Sequence, residues 1–207
     1  MKTKKAFISL VLDVLFPNPK IPLSYTNPFS FLVAVLLSAQ CTDAKVNKVT
    51  PLLFASGNTP EVMVALGLTK LEEILKPLGL YRTKAKNILK LSEILIASYG
   101  GQIPQTLEEL EKLPGVGHKT ASVVMSQIYE KSAFPVDTHI HRLAKRWKLS
   151  SGKSVEQTEK DLKKFFHENQ WGKKHLQIIY YARAYCPARA HRLERCPICL
   201  ALQAKRP

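Results

Sequence analysis

Leu113-Pro114-Gly115-Val116-Gly117-His118-Lys119-Thr120, followed eighteen positions after Lys119 by Asp137, is the stretch on which the reading of this chain turns. Gly115 and Gly117 permit backbone angles that other residues avoid, and Pro114 cannot continue a preceding helix, so the chain bends sharply here. A new helix is expected to start at Val116 or Gly117. Its unbonded N–H groups and the positive end of its dipole offer a site for a phosphate oxygen. Neither glycine carries a side chain that would keep a nucleic-acid backbone away. An ordinary helix-loop-helix corner would use the same residues, because Pro-Gly turns are common.

Chain geometry allows Lys119 and Asp137 to meet. A helix from Gly117 to Tyr129, with Ala121, Val124, Met125 and Ile128 on one face, runs roughly 20 Å. The link from Lys131 to Val136 contains Pro135 and β-branched Val136, both favouring extension, and it also covers roughly 20 Å. It can therefore return to the start of its helix. Asp137 would then cap a helix beginning Thr138-His139-Ile140-His141-Arg142 while facing Lys119. The plainer alternative is an N-capping aspartate and a solvated lysine.

Leu113 to Thr120, followed by Val136-Asp137-Thr138-His139, resembles the endonuclease III family, DNA glycosylases of the helix-hairpin-helix superfamily. The likeness continues through Leu36-Leu37-Ser38-Ala39-Gln40-Cys41-Thr42-Asp43 and Leu78-Gly79-Leu80-Tyr81 to a cysteine-containing tail. It implies a base-excision repair enzyme with both glycosylase and abasic-site lyase activity, acting on oxidised or ring-saturated pyrimidines. The implied partner is double-stranded DNA containing damaged pyrimidines or abasic sites, bound by a monomer. Flipping the nucleotide out of the duplex costs less for a base that already stacks badly. By resemblance, Lys119 attacks the sugar C1′ carbon, expels the base and forms a Schiff base, after which elimination of the 3′ phosphate nicks the strand.

A lysine amine with an ordinary pKa of about 10.4 is almost wholly protonated at neutral pH, so this role demands activation. A helix N-terminus and burial under DNA favour the neutral amine, whereas an ionised Asp137 opposes it. The carboxylate therefore makes sense as a proton acceptor and as a stabiliser of the cationic sugar while the base departs. By the same resemblance, Gln40 fills the gap left by the flipped nucleotide and Leu80 is an apolar wedge beside it. Gly115, Gly117 and His118 belong to the DNA-binding hairpin, and His139 lies by the site. Without the resemblance, Leu80 reads as a core leucine and Gln40 as a surface residue.

Charge agrees with a DNA partner. The formal net charge is +15, and it is uneven: residues 131–207 hold 17 basic and 6 acidic side chains against 14 and 10 in residues 1–130. Such a surface gives salt-sensitive backbone affinity without lesion specificity, and RNA or an anionic membrane would also attract it.

The expected fold class is all-α. Helix starts recur at Thr59-Pro60, Thr69 with Glu72, Thr83, Thr106 with Glu109, and Ser154 with Gln157. Stops follow at Gly67, Gly79, Gly100-Gly101 and Pro114. No alternating strand series, low-complexity tract or tandem repeat is visible. By resemblance, residues 22–131 form a six-helix domain, residues 1–21 with 132–207 form a second, and the active site lies in a cleft between them. The basic, apolar N-terminus is interrupted by Asp13 and lacks a signal-cleavage pattern, so Phe7, Leu10, Val11, Val14 and Leu15 are expected to form one helix face of an intracellular protein. The run from Phe29 to Leu37 is too short to span a membrane and reads as a buried helix.

The tail is the poorest match. Cys186, Cys196 and Cys199 point to thiolate ligation, and the family pattern Cys-x6-Cys-x2-Cys-x5-Cys holds a [4Fe–4S] cluster. Here the first gap is nine residues, and Lys205 stands where the fourth ligand belongs. Three accounts stay open: His191 replaces the missing thiolate, a three-thiolate cluster binds weakly, or the loop folds without a cofactor. Zinc held by three sulfurs and an imidazole is also compatible with these ligands. Cys41 reads as a small buried hydrophobe.

Two competing functions are a mismatch adenine glycosylase and a non-catalytic helix-hairpin-helix DNA binder. Relatives of the first type carry a catalytic glutamate where this chain has Ala34, and the second has no need of a Lys119–Asp137 pair.

Overall fold

A computed structural model describes residues 4–203. Among the described residues the chain is helical and contains no strand. It divides into two compact units, one spanning Pro22–Tyr129 and the other made from the residues up to 21 and from 130 onward.

The first unit contains six helices among the described residues: α2 (Pro28–Leu37), α3 (Asp43–Ala55), α4 (Pro60–Leu75), α5 (Tyr81–Tyr99), α6 (Leu107–Glu111) and α7 (His118–Gln127). Nine of the ten residues of α2, from Phe29 to Leu37, are buried. A helix apolar on every side belongs at the centre of a core, and α2 accordingly touches α3, α5 and α7. Its start is set by Asn27, which accepts from the Ser30 amide at 2.8 Å while the Ser30 hydroxyl accepts from the Asn27 amide at 2.9 Å. Pro28 occupies the first helical position, where a missing N–H costs nothing.

Thr59, Thr106 and Ser154 act as N-caps, as their spacing predicts. Gly67 (φ 71°, ψ 169°) breaks the helical path inside Pro60–Leu75, where a stop is expected, so α4 is two helical segments joined across a kink. One expected boundary moves. Helix α5 starts at Tyr81, two residues ahead of Thr83, with Leu80 as its cap residue.

The second unit contains α1 (Lys4–Leu15), α8 (Thr138–Arg146), α9 (Val155–Phe165), α10 (Trp171–Ala184) and α11 (Pro197–Gln203), with single 3-10 turns before α10 and α11. Its core gathers Ile8, Leu12, Phe134, Ile140, Leu143, Trp147, Leu162, Ile178 and Tyr181. The α1 face is rotated from the expected one. Ile8 and Leu12 are fully buried, whereas Leu10 and Val14 are exposed, because α1 packs on α10 and α11 along the Ile8–Leu12 line.

Asp13, which breaks the apolar run of α1 in sequence, meets a lysine that the sequence does not mark as special. Lys174 on α10 is fully buried, and its Nζ donates to Asp13 Oδ2 at 2.9 Å; Gln177 Nε2 donates to Asp13 Oδ1 at 2.9 Å. Burial alone would raise the Asp13 carboxyl, but the hydrogen bonds from Gln177, Lys174 and Lys173 overcome it and hold the group at about 2. Burial lowers Lys174, with Asp13 opposing. No described helix is long and apolar enough to cross a membrane.

Asp13 has a folded-state pKa below its ordinary 3.8, so it contributes stability above that value and loses it as pH falls toward about 2. Asp13→Ala is expected to lower stability by about 2 kcal/mol at neutral pH, because a buried ammonium is left without its partner while the lost carboxylate was itself half in water. It should also flatten the acid limb between pH 4 and about 2. Urea unfolding of wild type and variant across this range checks both.

Candidate active site and cysteine cluster

The hairpin takes the form that its glycines require. Val116 N–H donates to the Leu113 carbonyl at 3.0 Å, closing a tight turn with Pro114 and Gly115 at its centre. Gly115 has φ 78°, the left-handed value of the third position in a type II turn. A Cβ at Gly115 would also lie 2.5 Å from Asn87 Nδ2 of α5. Leu113 and Val116 are buried and anchor the turn from below.

Gly117 differs. It caps α7 with ordinary extended angles (φ −91°, ψ 174°), and no atom beyond its own chain neighbours lies within 4 Å of where its Cβ would stand. Nothing within the protein therefore demands a glycine there. The cap residue of this ten-residue helix supplies no side-chain hydrogen bond, and the positive end of the helix dipole lies at the hairpin. Lys119 is the second residue of this helix, half-buried in its first turn. His118, expected at the DNA surface, is exposed and its Nδ1 lies 2.7 Å from Glu111 Oε1, tying α7 to α6.

Two residues assigned by resemblance share a backbone feature that the sequence does not reveal. Gln40 (φ 53°) and Leu80 (φ 58°) both adopt the left-handed conformation, and both are exposed. Non-glycine residues pay roughly 1–2 kcal/mol for this geometry. Gln40 lies on the turn between α2 and α3, closed by Cys41 N–H donating to the Ser38 carbonyl at 3.0 Å. Leu80 caps α5 and is 56% exposed, so it is no core leucine.

Lys84, one turn further along α5, was not singled out by sequence. It is only 4% exposed, and its Nζ has no hydrogen-bond partner. Burial lowers its pKa, opposed by the nearby Cys41 thiol. Cys41 is half-buried, not the enclosed hydrophobe expected, because it follows an exposed turn.

Asp137 belongs to the other unit. It caps α8, its Oδ1 accepting from Ile140 N–H at 2.8 Å, which fixes the carboxylate at the helix N-terminus. The preceding residues 133–136 are buried, and His175 Nδ1 donates to the Pro135 carbonyl at 2.9 Å. His175 is thus a positioning residue that sequence could not identify, since a histidine inside a helix usually faces solvent. His139 lies in the first turn of α8, half-buried, with its Nδ1 3.5 Å from Arg142 Nη2.

In the tail, Cys186, His191, Cys196 and Cys199 converge. Their ligand atoms all lie within 4.8 Å of one another, and the three cysteines are buried and unbridged. Cys186 Sγ and Cys199 Sγ stand 3.8 Å apart. Hydrogen bonds from Cys186 and Cys199 hold the Cys196 thiol well below the usual range, aided by Tyr181 and His191. Arg146 Nη1 donates to Cys186 Sγ at 3.0 Å, and the Tyr181 hydroxyl, 3.3 Å from Cys196 Sγ, accepts from Ile198 N–H. Such a group can hold a metal ion. Lys205 lies outside the described residues.

Residues 33–168 match the HhH-GPD superfamily base excision DNA repair proteins. The chain is 45% identical to endonuclease III of Bacillus subtilis (strain 168) over 185 residues, covering 89% of this chain and 84% of the relative. It is 41% identical to endonuclease III of Escherichia coli (strain K12), covering 88% and 86% of the two chains. Among solved structures it is similar to a trapped endonuclease III–DNA covalent intermediate (TM-score 0.89, 42% identity, 96% of this chain and 94% of the other). A non-covalent endonuclease III–DNA complex is similar too (TM-score 0.91, 42% identity, 98% and 95%). Extended identity over nearly the whole length of both chains, together with an all-helical fold, places this protein in the endonuclease III family of the HhH-GPD superfamily.

Proposed function

We propose that the chain is a base-excision DNA glycosylase and abasic-site lyase acting, as a monomer, on duplex DNA that contains oxidised or ring-saturated pyrimidines. The observation that carries this reading is the position of Lys119, an amine in the first turn of a helix that opens on a glycine hairpin with no side-chain cap from Gly117. The open space around Gly117 fits the close approach of a phosphate to the positive end of the helix dipole.

In the reaction, the lesion nucleotide leaves the stack while Leu80 wedges into the step and Gln40 enters the gap. Both residues are exposed on turns with left-handed backbone, where DNA can reach them. The neutral Lys119 amine bonds to C1′ as the bond from C1′ to the base breaks and the base leaves with its electron pair. Asp137 accepts the proton shed by the amine and offsets the positive charge on the sugar. Asp137 returns that proton to the ring oxygen as the C1′–O4′ bond breaks and the Schiff base forms; a C2′ proton then passes to water, and the electron pair it leaves expels the 3′ phosphate. Hydrolysis then frees Lys119. Ala34, fully buried in α2, carries no acid for adenine excision.

Borohydride trapping on duplex containing a ring-saturated pyrimidine tests the reading. Wild type is expected to give a covalent adduct, and Lys119→Gln to give none while still binding the duplex. Adduct formation by Lys119→Gln, or its absence from wild type, would sink the proposal. Asp137→Asn should slow base release by about 100-fold or more under single-turnover conditions.

Leu80→Gly separates strain from function. Relief of the left-handed backbone is expected to raise Tm, or leave it unchanged, while lesion excision falls at least tenfold. A fall in Tm with full activity would contradict the wedge assignment.

A further inference from the structure

We infer that Cys186, His191, Cys196 and Cys199 bind a single zinc ion in a closed tetrahedral site, in place of the [4Fe–4S] cluster that the family pattern implies.

In a cubane cluster each protein ligand binds a different iron and points outward from the body of the cluster, so the donors must stand on opposite sides of eight iron and sulfide atoms. Around one zinc ion, thiolates at about 2.3 Å in tetrahedral directions stand only about 3.8 Å from one another. The two donors Cys186 Sγ and Cys199 Sγ are 3.8 Å apart, and no pair in the set exceeds 4.8 Å. These residues do not fit the cluster, whose atoms have no room between them. They do fit one ion.

The donor set agrees. Among the described residues three thiols and one imidazole converge, and three sulfurs with one nitrogen is a recurrent structural zinc set. His191 Nε2 is buried without a hydrogen-bond partner, so the ring is held in an enclosed position with polar capacity to spare. Nine residues separate Cys186 from Cys196, and His191 occupies the middle of that span. The longer loop therefore brings the imidazole round to the sulfurs.

Charge at the site matches a zinc thiolate centre. One zinc with three thiolates and a neutral imidazole carries a net charge of −1. The Arg146 guanidinium, 3.0 Å from Cys186 Sγ, matches that charge, and the Tyr181 hydroxyl at Cys196 Sγ can donate because Ile198 N–H occupies it as an acceptor. Each thiol that binds releases its proton to solvent, zinc stays divalent, and no oxidant or reductant is needed. With four protein ligands the ion has no open position, so its role is to hold the tail loop against Trp147 and Tyr181 in the core of its unit.

The test is metal analysis of the full chain, expressed with both iron and zinc supplied and purified without oxygen. One zinc per chain, without stoichiometric iron or acid-labile sulfide, is expected. Iron with sulfide, or no bound metal at all, would overturn the assignment. X-ray absorption at the zinc edge should return three sulfurs and one nitrogen with no neighbouring metal; four sulfurs or a metal–metal shell would refute the His191 ligand or the single ion. His191→Ala is expected to weaken zinc at least tenfold in competition with a chelator. Should that variant fail to fold, the absorption measurement on wild type decides alone. None of these readouts depends on glycosylase activity.

Discussion

Burial of α2 on every side is the constraint from which the DNA-facing apparatus of the first unit follows. This helix touches α3, α5 and α7, and each proposed DNA-reading element lies at an end of one of the four: Gln40 on the turn out of α2 into α3, Leu80 at the start of α5, Lys119 at the start of α7. Burying a Val, Leu or Phe side chain is worth roughly 1.5–3 kcal/mol, and α2 contributes seven such residues between Phe29 and Leu37. That sum exceeds the cost of two left-handed backbone turns at roughly 1–2 kcal/mol each. The core can therefore hold Gln40 and Leu80 in a conformation that neither would adopt alone.

The second unit uses polar anchors for a similar end. Asp137 is fixed by its own helix through the bond to Ile140 N–H, and the segment before it is clamped by His175 at the Pro135 carbonyl. One carboxylate thus serves as a cap, which sets its position, and in the proposed reaction as a base, which uses its charge. A site assembled from helix ends has this economy, because the groups that finish a helix are also those with unused polarity. Next to His175 in the chain, Lys174 pairs with Asp13 and ties α1 to α10 through a fully buried cation.

The cysteine tail follows the same logic with different chemistry. A loop of this length has little apolar mass of its own, and its three thiols and one imidazole gather over Trp147 and Tyr181. Basic and hydroxyl donors at the sulfurs, Arg146 and Tyr181, suit anionic thiolates better than neutral thiols. In the proposed zinc site, the departure from the family spacing is what lets His191 join the three sulfurs.

Much of this was legible in the residues themselves. The helical class, the buried helix from Phe29 to Leu37, the Thr59, Thr106 and Ser154 caps, the Pro114-Gly115 turn and the Asp137 cap all rest on local rules: periodicity, side-chain capping and the angles that glycine and proline permit. Other features depend on residues far apart in the chain. The buried face of α1 is set by α10 and α11, so Ile8 and Leu12 turn inward where periodicity alone pointed to Leu10 and Val14. The left-handed Gln40 and Leu80, the enclosed Lys84, the clamp from His175 and the spacing of the four tail donors likewise have no local signature. Sequence determined the fold class and the chemistry on offer, because both are written in short-range patterns; tertiary structure decided which groups are strained, buried or brought within bonding distance, because those outcomes are settled only when remote helices compete for the same core.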